Sequence, residues 1–311
     1  MKEKVVVIVG PTAVGKTDLS IKIAKRFQGE IISGDSMQVY QGMDIGTAKV
    51  TEQERQGIPH HMIDILSPEQ DFSVANFQTL VQHEIQAIAA RKHLPIIAGG
   101  TGLYIQAVLY DYQFSDQQRS SAYEQAIERE IQQKGLDHVY HRLKRVDPLQ
   151  AEKIHPNNKR RVIRALEVYD RTGRTMTDYQ AKQTHESAYD FYIIGLNMDR
   201  ELLYQRIDQR VDQMIEQGLL HEVTNLYQQG YADTQAMRGI GYKEFLPYLR
   251  REHSLEEAIA TLKQNSRRFA KRQYTWFNNK MPVHWYTITP ETSDIAFQKI
   301  LTDIEGFYSF A

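Results

Sequence analysis

The chain of 311 residues contains no cysteine. That excludes a disulfide framework, cysteine-ligated zinc or iron–sulfur clusters, and a thiol nucleophile. Long apolar runs are missing too. None approaches the ~18 residues of a membrane span, so no membrane partner is expected. The first apolar run, Val5 to Val9, follows Met1 to Lys4 directly and has no small-residue cleavage site behind it. It is too short for a signal-peptide core, so the expected compartment is the cytoplasm. An excess of charge of one sign is the third absence: 38 Lys and Arg balance 39 Asp and Glu, for a net charge of −1. Bulk charge therefore does not announce a nucleic-acid binder. What remains, 41% hydrophobic and 25% charged residues, is the composition of a folded globular chain. At roughly 150 residues per domain, two domains are expected.

Charge is nevertheless distributed unevenly. From Lys153 to Arg164 the cations Lys153, Lys159, Arg160, Arg161 and Arg164 meet no acid, and neither do Lys263, Arg267, Arg268, Lys271, Arg272 and Lys280 between Lys263 and Lys280. One such segment reads equally well as a solvated helix face; two point to an anionic partner.

The first hundred residues alternate short apolar runs with amphipathic helical stretches, the pattern of an α/β fold with a parallel sheet. Val5 to Val9 is a β-branched run suited to a buried strand, followed by a helix over Thr17 to Phe27. Glu30 to Ser33 and Leu94 to Ala98 are further strands, with a long helix from near Ser73 to Arg91 between them. Residues 115–180 are polar and helical in period. Strand character returns at Phe191 to Leu196 and closes at Val283 to Ile288. The economical reading is an α/β core, 1–114 and 190–311, with a central parallel sheet flanked by helices and interrupted by a mostly helical insertion over 115–189.

Gly10-Pro11-Thr12-Ala13-Val14-Gly15-Lys16-Thr17 fits the phosphate-loop pattern and lies between a strand and a helix, the context the pattern requires. Glycines let backbone N–H groups curl toward phosphate oxygens, and the helix N-terminus adds its dipole. Lys16 supplies a cation, and the Thr17 hydroxyl suits Mg²⁺. The motif specifies a polyphosphate rather than ATP. An ATPase would also offer an Asp after an apolar strand, but Leu94 to Ala98 runs into Gly99-Gly100-Thr101, without a carboxylate. Asp35 follows the second strand instead, in Ser33-Gly34-Asp35-Ser36-Met37-Gln38. A strand-end Asp is as often a turn residue as a base, yet at the ligand edge of such a sheet it suits proton abstraction. Thr101, between two glycines, has its hydroxyl where backbone approaches a ligand closely.

These segments resemble the tRNA dimethylallyltransferase (tRNA isopentenyltransferase) family. The resemblance runs through Gly10 to Thr17, Ser33 to Tyr40, Gly46-Thr47-Ala48-Lys49, Pro59 to Asp64, Gly99 to Tyr104, Lys159 to Glu167, Arg238 to Glu244 and Lys271 to Phe277. It spans almost the whole chain and looks like the compact bacterial form, without a zinc finger. It implies transfer of a five-carbon group from dimethylallyl diphosphate to the exocyclic amine of the adenosine 3′ of a tRNA anticodon, with the phosphate loop and Mg²⁺ holding diphosphate. It further implies Asp35 as general base, Thr101 as a contact to the bridging oxygen of the leaving diphosphate, and Lys16 as stabiliser of its charge.

The target adenine must be flipped out of the anticodon loop to be reached. Asp35, Ser36, Met37, Gln38 and Thr101 look suited to hold it, Gln38 by pairing with its edge. Lys159, Arg160, Arg161, Val162, Ile163 and Arg164 resemble the family's tRNA-contacting stretch, and Arg268 and Arg272 lie on the same side of a second basic helix. Tyr274, Trp276 and Phe277 read chiefly as core. His60-His61 with Asp64 reads as structural rather than metal-binding, since neighbouring strand residues face opposite ways. Gly239 and Gly241 read as loop formers, with Arg238 or Tyr242 as lesser candidates for a substrate contact. A monomer is the default. The competing readings are a P-loop nucleoside or nucleotide kinase, which leaves the two basic segments unexplained, and a non-catalytic RNA-binding switch, which leaves Asp35 and Thr101 without a role.

Overall fold

The computed structural model describes residues 2–114, 120–183 and 186–309. Residues 115–119, at the start of the expected insertion, lie outside them. The chain divides into two compact units, residues 1–109 with 187–311, and residues 110–186.

In the first unit β1 (Lys4–Val9), α1 (Lys16–Phe27), β2 (Gly29–Ser33), α2 (Glu52–Arg55), β3 (His60–His61), α3 (Val74–Ala90), β4 (Leu94–Ala98) and α4 (Gly102–Leu109) follow in order. Its later half contributes β5 (Asp190–Asn197), α10 (Arg200–Glu216), α11 (Leu219–Gln228), α12 (Leu246–Leu249), α13 (Leu255–Lys280), β6 (His284–Thr287) and α14 (Ser293–Ser309). The six strands form one parallel sheet in the order β3-β2-β4-β1-β5-β6. Because β1 lies inside the sheet, Val5 to Val9 are all fully buried, as a continuous apolar run demands. Its register pairs Val7 with Ile97 on one side and with Ile193 on the other. α1 and α14 close one face: Leu19, Ile23, Ile300 and Ile304 join Ile8 and Ile96 in one apolar cluster. Several elements escaped the sequence reading, β3 and α14 among them. β3 is too short to show a period, and α14 follows the last strand that the sequence pattern marked.

The second unit is helical: α5 (Ser121–Lys134), α6 (Leu136–Val146), α7 (Pro148–Lys153), α8 (Lys159–Thr172) and α9 (Met176–Ala181). Its core is built on Val139, Leu143, Val162 and Leu166, all 0% exposed. Asn158 caps α8 by accepting the Arg161 N–H.

Candidate active site

The carboxyl ends of β1, β2 and β4 converge on a cavity of about 580 Å³. Parallel α/β sheets hold ligands at this edge. β1 leads into the glycine-rich loop, which turns at Gly10 (φ 145°), Ala13 (φ 64°) and Gly15 (φ 102°) before entering α1. A side chain at Gly10 would come within 2.6 Å of the Leu196 carbonyl oxygen, so glycine is required there on two counts. No side chain caps α1, which leaves its first N–H groups available to an anion. Lys16 Nζ curls back to donate to the carbonyls of Gly10 (3.0 Å) and Pro11 (2.7 Å). Burial, helped by Arg210 and opposed by Asp35, lowers the Lys16 ammonium from 10.5 to about 7.

Asp35 lies just past the end of β2. Its Oδ1 accepts the Met37 N–H at 2.8 Å. Removal from water pushes its carboxyl above the ordinary range, against the opposing pull of that hydrogen bond and of Lys16. Thr101 Oγ1 accepts the Ser36 N–H at 3.2 Å, which ties the loop after β4 to the loop after β2. The structure therefore brings Thr12 to Thr17, Asp35, Gln38, Gly99 and Gly100 onto one cavity, with Thr101 and Ser36 bonded at its edge.

Several expectations are corrected. The Gln38 carboxamide accepts the Ser33 hydroxyl at 2.7 Å and donates to the carbonyls of Thr47 (3.2 Å) and Ala48 (3.4 Å). These bonds brace the loop, and the residue still lines the cavity. Val162 and Ile163 are 0% and 4% exposed, so their side chains belong to the core of the second unit and present no surface to a ligand. Tyr242 is fully buried and donates to Glu222 at 2.6 Å, a structural role. The basic segments are also less free than their acid-free sequence suggests, because the fold supplies acids from elsewhere. Lys159 pairs with Glu128, Arg164 with Glu167, Lys263 with Asp212 and Arg267 with Asp208. Arg160, Arg161, Arg268, Lys271 and Arg272 are exposed. Of the three aromatics on α13, Phe277 is core, Trp276 is half-buried and Tyr274 is exposed.

The sequence reading missed Arg206 and Arg210, one turn apart on α10, which line the same cavity. Arg206 donates to the Ala13 carbonyl at 3.1 Å and Arg210 to the Thr12 hydroxyl at 3.4 Å. Two arginines four apart on the polar side of an amphipathic helix were the available signal. Among the described residues no group of three or more His, Cys, Asp or Glu could hold a metal ion. His61 instead bonds Glu30 and Glu84.

The class defined by this fold and cavity is a parallel α/β protein with a cationic strand–loop–helix cradle and a strand-end carboxylate beside it. The family follows from comparison: the profile described as IPP transferase matches residues 38–280, and the chain belongs to that family. It is 57% identical over 311 residues to a tRNA dimethylallyltransferase of Anoxybacillus flavithermus, covering 100% of this chain and 99% of the relative. A protein of the same description from Oceanobacillus iheyensis is 56% identical, with 98% of each chain covered. Among solved structures, a full-length tRNA isopentenylpyrophosphate transferase from Bacillus halodurans superposes with a TM-score of 0.76 at 49% identity, covering 98% of this chain and 97% of the other. A eukaryotic dimethylallyltransferase captured acting on tRNA superposes at 0.81 and 34% identity, covering 94% of this chain and 75% of the other.

Proposed function

We propose that the protein transfers the dimethylallyl group of dimethylallyl diphosphate to the exocyclic amine of the adenosine 3′-adjacent to the anticodon in tRNA, releasing diphosphate. The observation that carries the reading is the pairing, in one cavity, of a cationic glycine-rich cradle with a carboxylate of raised proton affinity. In the reaction the bond from the allylic carbon to the diphosphate oxygen breaks and a carbon–nitrogen bond forms. The amine proton passes to Asp35, whose desolvated carboxyl is a better base than an exposed one. Loop N–H groups, Lys16, Arg206 and Arg210 surround the charge that develops on diphosphate, the preorganised stabilisation expected to dominate such a step. Thr101 lies at the edge where the leaving oxygen would stand.

Mg²⁺ fits this site. Thr17 presents a hard hydroxyl oxygen on the cavity, and the lack of an acidic cage among the described residues suits an ion held mostly by substrate phosphates and water. When bound, it supplies further positive charge to the diphosphate. The kinase alternative gains no support: β4 ends at Ala98 and runs into Gly99 and Gly100, with no second carboxylate.

For tRNA, Lys159, Arg160 and Arg161 occupy the first turn of α8, where the helix dipole opposes cations. A phosphate partner would offset that cost. Arg268 and Arg272 on α13 provide the second basic surface. Among the described residues no helix is long and apolar enough to cross a membrane. The reading includes a monomer that works in the cytoplasm, where its tRNA substrate would be met.

The test is mass spectrometry of unmodified tRNA incubated with the protein, Mg²⁺ and dimethylallyl diphosphate. A prenyl increment on the adenosine beside the anticodon is expected from the wild type and none from Asp35→Ala, with tRNA affinity within a few-fold. Turnover by Asp35→Ala at the wild-type rate would remove Asp35 as the base, and no increment with any tRNA would overturn the reading.

A further inference from the structure

The loop that carries Thr101 has no regular secondary structure of its own, yet it is fixed from three sides. Gly99 N–H donates to the Ile8 carbonyl at 3.0 Å, and Thr101 N–H to the Gly34 carbonyl at 3.2 Å. The third tie comes from α13, far along the chain. Gln273, 5% exposed, accepts the Thr12 N–H through Oε1 at 3.0 Å and donates from Nε2 to the Gly100 carbonyl at 3.1 Å. One carboxamide thus joins the glycine-rich loop to the peptide preceding Thr101. The contact is close enough that a Cβ at Gly100 would overlap Gln273 Nε2, and one at Gly102 would overlap Trp276 Cδ1, one turn further along the same helix face.

We propose that Gln273 is a positioning residue for prenyl transfer: it sets the distance between the loop that holds diphosphate and the Thr101 hydroxyl. The carboxamide accepts from one loop and donates to the other at once. A leucine can do neither, and a glutamate would turn an oxygen toward the Gly100 carbonyl. Displacement of reacting groups by about 1 Å can cost on the order of 100-fold in rate. The same helix exposes Arg268, Lys271 and Arg272 on its other faces, so the strut stands on an element that the proposed function assigns to tRNA. The kinetic part of the inference rests on that function; the bracing of the loop does not.

The experiment is a double-mutant cycle of Gln273→Leu with Thr101→Ala, read as kcat and KM for dimethylallyl diphosphate, together with amide hydrogen exchange of the peptide containing Thr12. Gln273→Leu alone is expected to lower kcat by about ten-fold or more with a much smaller change in KM, and to speed exchange at Thr12. In the Thr101→Ala background the further loss should be only about two- to three-fold, because the strut then has no hydroxyl to position. Losses that multiply fully, or an unchanged kcat, overturn the positioning role. Unchanged exchange at Thr12 overturns the brace itself, whatever the activity. Gln273→Met, which keeps the length of the side chain but not the amide, repeats the cycle and the exchange measurement if the leucine variant does not fold. A wild-type protein that transfers no prenyl group would refute the proposed function instead, and exchange at Thr12 would still decide the brace.

Discussion

Lys16 carries the most consequential perturbation at the scale of single residues. Its ammonium falls from 10.5 to about 7, chiefly through burial and then through Arg210. Between those two values the unfolded chain binds the proton that the native protein has released, so this residue makes the free protein more stable as pH rises from about 7 toward 10.5. A diphosphate beside it favours the charged form and raises its proton affinity again. Binding at pH 8 is therefore expected to take up a proton, and affinity to weaken as pH climbs above 7. Titration calorimetry in two buffers of different ionisation enthalpy should register up to about one more proton taken up by the wild type than by Lys16→Met. Equal uptake by the two proteins would mean that Lys16 does not meet the anion. The motif placed Lys16 in the sequence, but its lowered proton affinity comes first from burial and then from Arg210, which is 194 positions away and reaches the loop only through the packing of α10.

Among elements, the edge of the sheet depends on one buried acid. Glu30 on β2 accepts from Arg91 at 2.7 and 3.0 Å and bonds His93 and His61, so it ties β2 to β3 and to the turn between α3 and β4. Arg91, more than the histidines, holds its carboxyl down from 4.5 to about 2 against the effect of burial. The sign is that of a depressed acid: the stabilisation is complete above about 4.5 and is lost as pH falls toward 2. Glu30→Gln is expected to reduce unfolding free energy at pH 7 by about 1–3 kcal/mol, toward the lower end because Arg91 is half exposed to screening water. Urea melts should show the difference shrinking between pH 4.5 and 2, and a gap that stays constant over that range would sink the assignment. None of this was visible in the sequence. The sequence marks Glu30 only as a strand residue, whereas its partners lie about 30 and 60 residues on.

For the molecule as a whole, the proposed function makes tRNA affinity an expected consequence of the charges that the fold leaves unpaired. Arg160 and Arg161 are exposed on α8, while Lys159 and Arg164 are engaged by Glu128 and Glu167. Reversing Arg160 and Arg161 to glutamate should weaken tRNA binding and flatten the slope of log K against log salt by about 1 to 2. Reversal at Lys159 and Arg164 should do less to the slope, because their charge is already offset. An unchanged slope in the first variant would move the footprint to Arg268 and Arg272 or elsewhere.

The sequence by itself determined the parallel α/β core, the strand–loop–helix cradle and the two loops carrying Asp35 and Thr101. Those features rest on local periodicity and on glycine placement, which act over a few residues. Tertiary structure alone decided which charges stay free, that Tyr242 is buried against Glu222, and that Arg206, Arg210 and Gln273 reach the cradle. Most of these are contacts between residues distant along the chain. Burial, and the partner waiting at the other end, are properties of the packed molecule that no local pattern encodes.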